Sequence, residues 1–231
     1  MLAYALAFLT CFLLVTVFRP SFHGLDMEVS LWSASINNGL FMPAASTISF
    51  WFDTLRLFAI TLAFAFILFV SHHRRYSFLI LGAMGGNALL VDFLKKITAS
   101  SRPPDELLNV TSFSYPSGHT AGAVVLFGIL TYFAWKHWGT TRIKAITVGL
   151  YVAVTAVVGF DRIYLNVHWF SDVFGAVLFG AFWLVFCIII FNLALSTDRM
   201  QMYFNRARSK TTWDKHHNGC PYSSHDILIN S

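Results

Sequence analysis

Apolar residues in this chain come in unbroken runs rather than in alternation or on one helical face, and the runs approach the length needed to cross a bilayer. Residues 2–18 form the first, and Arg19-Pro20 ends it. With no basic residue ahead of it and no small-residue cleavage site after it, this run reads as a retained helix rather than a leader. Further runs cover residues 57–71, 76–94, 117–135, 145–160 and 173–195. A helix rising about 1.5 Å per residue needs about 17 to 25 apolar residues to cross the hydrocarbon, so the pattern predicts six spans. Residues 20–54 are mixed, with Asp26, Glu28, Trp32 and Trp51, and predict helices lying at the interface or packed obliquely, the tryptophans at headgroup depth. Gly82, Gly85 and Gly86 in the third run predict close helix contact. From Ser196 the chain turns polar, and it loses helical periodicity after about Arg208. The pattern thus predicts a helical membrane domain over 1–195 and a basic tail without fixed structure over 196–231.

Composition agrees with an all-α polytopic membrane protein. Of 231 residues, 56% are hydrophobic and 12% charged, about half the charged share usual in soluble domains; the mean hydropathy is +0.61. The net charge of +5 comes without a Lys/Arg cluster interleaved with aromatics on a soluble segment, which argues against a nucleic-acid partner. Cys11 and Cys187 lie in apolar runs and Cys220 in the tail, so no disulfide framework or Cys-x-x-Cys metal spacing is present. The His216-His217 pair is read with Cys220 as part of the tail rather than as a metal site. Charge also orients the chain. Arg74-Arg75, the Lys136/Arg142/Lys144 connection and the tail carry the basic residues, which places them in the cytoplasm and puts the loops Lys95–Pro116 and Asp161–Val167 on the external face. Lys95, Lys96, Arg102 and Arg162 break that rule, and the exception asks for a local reason.

Chemistry supplies one. In the stretch Asp161–Gly175, His168 and Asp172 stand four apart, the spacing at which two side chains share a helix face. A carboxylate on one imidazole nitrogen fixes the tautomer, leaves the other nitrogen free to attack phosphorus, and stabilises the cation that attack creates. Arg162, permanently charged and planar, suits phosphoryl oxygens. Lys95 near a helix end and Arg102 in the following loop are spaced to converge on one anion. Pro116-Ser117-Gly118-His119 reads as a helix start, where free backbone N–H groups favour phosphate and Gly118 permits close approach. His119 is then placed as a general acid for a leaving oxygen. Asn87 and Asp92, polar within the third run, carry no assigned role.

Lys95-x6-Arg102-Pro103, then Pro116-Ser117-Gly118-His119, then Arg162-x5-His168-x3-Asp172 resembles the type-2 phosphatidic acid phosphatase superfamily, in family order and over about residues 20–195. The resemblance implies a helical core like that of the vanadium haloperoxidases and a bacterial-type lipid phosphatase that works without metal or other cofactor. It implies phosphate held by Lys95, Arg102, Arg162, Ser117 and Gly118, His168 as nucleophile through a phosphohistidine, Asp172 as its orienter and His119 as acid. Two positions depart from the family pattern. Asp161 stands where relatives usually have Ser; an ionised carboxylate cannot donate to phosphate, so Asp161 is expected to turn away and pair with Arg162 or Lys95. Asn166 stands where many have Gly, a residue type that tolerates left-handed backbone less freely than Gly but better than most. The implied substrate is a lipid phosphate or diphosphate: undecaprenyl diphosphate, phosphatidylglycerophosphate or phosphatidic acid. A lipid phosphotransferase and a non-catalytic lipid-binding protein on the same scaffold are the alternatives. The implied location is the inner membrane, with the site on the periplasmic face; the oligomeric state stays open.

Overall fold

The computed structural model describes the backbone of residues 1–217 apart from 38, 105 and 109, and side chains as far as residue 197. Every regular element among the described residues is helical: α1 Leu2–Val17, a 3-10 turn Arg19–Phe22, α2 His23–Ile36, α3 Met42–Trp51, α4 Thr54–Val70, α5 Arg74–Thr98, α6 Gly118–Trp138, α7 Thr141–Tyr164 and α8 Phe170–His217. Helices α5, α6, α7 and the Phe170–Thr197 part of α8 are each long and apolar enough to cross a membrane. Two bent pairs bring the count to six if each pair is one span: α1 with Arg19–Ile36, bent by 73°, and α3 with α4, bent by 56°. The mixed segment 20–54 is therefore helical, as its pattern predicts. Pro20 opens the 3-10 turn, where its missing N–H costs least. Asp53 caps α4 by accepting from the Leu55 N–H at 3.3 Å.

The chain divides into two compact units, Met1–Ile189 and Ile190–Ser231. Within the first, α6 packs on α4, α5 and α7, and Ala121, Ala123, Val124 and Val125 are 0% exposed. Its approach to α8 rests on missing side chains. A methyl on Gly128 would lie 2.2 Å from Leu184, and one on Gly180 would lie 2.9 Å from Val124. Of the three glycines expected to mediate contact on α5, only Gly86 does so, with a methyl there meeting Trp183 at 2.4 Å. Gly82 and Gly85 face open space. One residue turns a helix by about 100°, so Gly85 is already off the contact line. Trp183 donates from Nε1 to the Ala83 carbonyl at 2.8 Å, satisfying the indole on the same seam.

In the second unit the backbone stays helical to His217, where the polar pattern predicts no fixed structure from 196 onward. Residues 181–217 hold no Gly or Pro, and Met, Gln, Arg and Lys sustain a helix by intrinsic propensity. Cys220 lies outside the described residues.

The helix ends sort into two groups. His73 before α5 stacks edge-on to His137 near the end of α6, ring centroids 4.4 Å apart, so the two basic connections share one end. At the other end the 99–117 loop meets the turn between α7 and α8, Leu107 donating to the Leu165 carbonyl at 3.1 Å.

Candidate active site

The α7–α8 turn is closed by its own backbone: Asn166 N–H donates to Ile163 O at 2.9 Å and Val167 N–H to Arg162 O at 3.2 Å. Asn166 has φ +52°, the left-handed conformation its residue type tolerates. His168 follows, two residues ahead of α8, so it does not share a helix face with Asp172 as the spacing suggested. Capping brings the two together instead. Asp172 is the third residue of α8, and its Oδ2 accepts from the Trp169 N–H at 2.9 Å, as the acidic arm of a capping box does. The same oxygen lies 3.3 Å from His168 Nδ1.

Asp172 is 0% exposed and fully occupied. Oδ2 also accepts from Ser114 Oγ, which stands 3.2 Å from His168 Nδ1. Oδ1 accepts from the Arg19 guanidinium at 2.7 Å. With Asp172 accepting at Nδ1, the free nitrogen of His168 is Nε2, 3.5 Å from Arg102 Nη1. Burial lowers the His168 pKa to about 4, with Asp172 opposing and Arg102 and Lys95 reinforcing the shift. The imidazole is therefore neutral at ordinary pH, the state required for attack.

Lys95, in the last turn of α5, and Arg102, in the loop, do converge. Both donate to the Phe113 carbonyl, Lys95 Nζ at 2.6 Å and Arg102 Nη2 at 3.4 Å. Arg102 further donates through Nε to Ser112 O at 2.8 Å, through Nη2 to Ser112 Oγ at 3.1 Å, and to Val167 O. Arg162, at the end of α7, directs Nε and Nη2 to Asp161 Oδ2, the former at 2.9 Å. Asp161 thus pairs with its neighbour, as its carboxylate chemistry predicts, while its Oδ1 is buried with no partner among the described residues.

A cavity of about 420 Å³ joins these groups. Lys95, Arg102, Gly118, His119, Arg162 and His168 line it, together with the apolar Leu57, Phe58, Met84, Ala88 and Val91 of α4 and α5. Asp172 stands behind His168. Ser117 is not among the residues lining the cavity: it is 0% exposed, caps α6 by accepting from the Thr120 N–H at 3.5 Å, also accepts from Thr120 Oγ1 at 3.1 Å, and donates its own N–H to Asp172 O at 3.2 Å. Asn87 lines the cavity, its Oδ1 without a partner among the described residues. Asp92 also lines the cavity and pairs with Lys96 at 2.6 Å. Among the described residues no three His, Cys, Asp or Glu side chains are grouped to hold a metal ion.

Residues that sequence reasoning passed over complete the site. Ser114 bridges His168 and Asp172, and its place three residues before Ser117 was its only signal. Arg19 and Asp26 come from the N-terminal segment; Asp26 accepts from the Ser171 N–H at 2.8 Å and from Ser171 Oγ at 2.7 Å. An acidic residue in a mixed interfacial helix gives no hint of such a partner.

The PAP2 superfamily family model matches residues 76–195. Phosphatidylglycerophosphatase B of Bacillus subtilis (strain 168) is 36% identical over 95 residues, covering 41% of this chain and 45% of that protein, so the match spans under half of the relative's length. Among solved structures, the first transmembrane PAP2-type phosphatidylglycerolphosphate phosphatase from Bacillus subtilis aligns with a TM-score of 0.70 at 23% identity, covering 80% of this chain and 94% of that one. LpxE of Aquifex aeolicus aligns with a TM-score of 0.54 at 26% identity, covering 71% and 94%. The first of these two likenesses is one of fold.

Proposed function

The chain belongs to the PAP2 superfamily, and from that premise we propose that it is a membrane lipid phosphatase acting through a phosphohistidine on His168. The observation that carries the reading is the cavity itself: two imidazoles, the cationic Lys95, Arg102 and Arg162, and apolar side chains of α4 and α5 line one space. Such a space suits a lipid whose phosphate meets the cations while its chain lies along the helices.

In the proposed reaction, His168 Nε2 attacks phosphorus and the bond to the lipid oxygen breaks. His119 gives that oxygen its proton. His119 then takes a proton from water, whose oxygen displaces His168 and releases inorganic phosphate. Charge gathering on the phosphoryl oxygens is met by Lys95, Arg102, Arg162 and the backbone at Gly118, a role that elsewhere falls to metal ions. Asp172 holds the Nδ1–H tautomer and stabilises the phosphorylated cation. Phosphatidylglycerophosphate is the favoured substrate because the names of both Bacillus relatives point to that lipid class. The positive-inside rule supports an external site and a cytoplasmic C-terminus.

The test is phosphate release from a panel of lipid phosphates and diphosphates by purified protein in detergent with a chelator present. Release is expected, fastest from phosphatidylglycerophosphate, with labelled phosphate trapped on wild type and not on His168→Ala. His119→Ala should keep a residual rate with leaving groups that need little protonation. No release from any lipid, or activity restored only by magnesium, sinks the reading.

A further inference from the structure

A basic residue closing an apolar run ordinarily extends toward the membrane surface to keep its charge in water. Arg19 folds inward instead. Its Nη2 lies 2.7 Å from Asp172 Oδ1, its Nε 3.3 Å from Ser171 Oγ, and its Nη1 donates to Ser100 Oγ. The guanidinium rests over the Tyr115 ring, 4.9 Å from its centroid. Three donors thus reach three residues on two elements, Ser100 in the loop after α5 and the successive Ser171 and Asp172 of α8, a spread that suits a planar fork. Asp26 grips Ser171 from the same N-terminal segment. Both residues lie outside the 76–195 stretch that the family model matches.

We propose that Arg19 is a positioning residue for the His168–Asp172 pair, fixing the Asp172 carboxylate and offsetting its charge so that it orients the imidazole without drawing a proton onto it. The proposal rests on His168 as the attacking group. A carboxylate that is 0% exposed and holds only a neutral imidazole would be an uncompensated buried charge; Arg19 supplies the compensation. The charged and titratable groups facing the pair are Arg19 and Asp26 from the N-terminal segment, Lys95 and Arg102 from α5 and its loop, Tyr115 and His119 from that loop and α6, and Arg162 from α7. Arg19 alone among them bonds Asp172 Oδ1 directly. Without its positive charge the field at His168 turns more negative and the imidazolium becomes easier to form.

The experiment compares wild type with Arg19→Ala and Arg19→Lys. Arg19→Ala is expected to lower kcat by about 10 to 100-fold, the usual weight of a residue that orients a functional ligand from behind, with KM little changed. The acid limb of kcat/KM should move up by about one pH unit. Arg19→Lys keeps the charge but not the fork, so it should restore the limb and recover kcat in part. An unchanged kcat and limb in Arg19→Ala overturns the proposal. So does a loss of kcat equal in both variants with the limb unmoved, which marks a structural anchor. The titration of His168 by ¹⁵N-imidazole NMR, assigned with His168→Gln, gives a readout independent of turnover. If wild type releases no phosphate, the activity reading fails while this titration still decides Arg19: a His168 pKa that rises in Arg19→Ala supports positioning, and one that stays put refutes it.

Discussion

In the proposed reaction Arg162 meets the substrate phosphate, yet Asp161 holds that guanidinium, and replacing Asp161 by the family's usual serine tests what the pairing costs. Two donors of Arg162 meet one Asp161 oxygen, with side-chain exposures of 3% and 2%. A charge-assisted hydrogen bond contributes about 1.5 to 3 kcal/mol, so freeing Arg162 should tighten phosphate by about 10 to 100-fold if most of one such bond is recovered. Asp161→Ser leaves Arg162 buried without its counter-ion, so the empty variant should unfold at lower temperature than wild type. Orthovanadate or inorganic phosphate supplies the missing anion, and the midpoint should climb further per unit ligand than it does in wild type, as binding linkage requires. Ligand-dependent thermal unfolding in detergent measures both effects, and product inhibition by phosphate gives a kinetic check. An unfolding midpoint that falls without any gain in phosphate or vanadate affinity would show that Arg162 does not reach the phosphoryl group and would refute the reasoning.

Three further outcomes are expected. With the His168 pKa lowered from 6.5 to about 4 by burial, kcat/KM corrected for substrate ionisation should hold as pH falls below 6.5 and drop only toward about 4; a limb at 6.5 or above contradicts a buried neutral imidazole. The same shift lowers stability across that window as pH falls, because the unfolded chain binds a proton that the buried ring refuses. Ser117→Ala should cost about 1 kcal/mol of stability as a lost cap and leave KM unchanged; a rise in KM of about tenfold, or ~1.4 kcal/mol, would instead make it a phosphate ligand. In a background lacking Cys11, Cys187 and Cys220, Thr111→Cys should react with an impermeant thiol reagent on intact cells and Thr140→Cys should not, and the reverse pattern would place the site in the cytoplasm.

The helices and the cavity's charged residues were legible because each is written locally. An apolar run declares a helix by composition, and Lys95, Arg102, His119, Arg162 and His168 lie in short motifs whose order fixes their convergence. Arg19 was read as a stop signal, and nothing near it in sequence could say otherwise: its partner is 153 positions away. Ser114 and Asp26 were hidden for the same reason. Ser117 carries two readings, since its motif membership suggests phosphate while its local chemistry, a serine at a helix start, describes the cap that the structure shows. The His168–Asp172 contact was foreseen on a helical face and is made by a capping turn; the spacing was right for both. The continuation of α8 past residue 196 follows from propensity rather than from an apolar face, which hydrophobic periodicity does not register.

Part of the cavity's apolar lining comes from a helix that carries none of its reactive groups. Leu57 and Phe58 belong to α4, which contributes none of the residues assigned to the chemistry, while the α6–α8 seam is locked by contacts at Gly128 and Gly180 that admit no added carbon without displacement. Variation over evolutionary time is therefore channelled. Substitutions in α4 can reshape the cavity's apolar wall, where the proposed lipid chain would lie, while the reacting groups keep their places, so descendants of this scaffold are free to diverge in diet before they diverge in reaction.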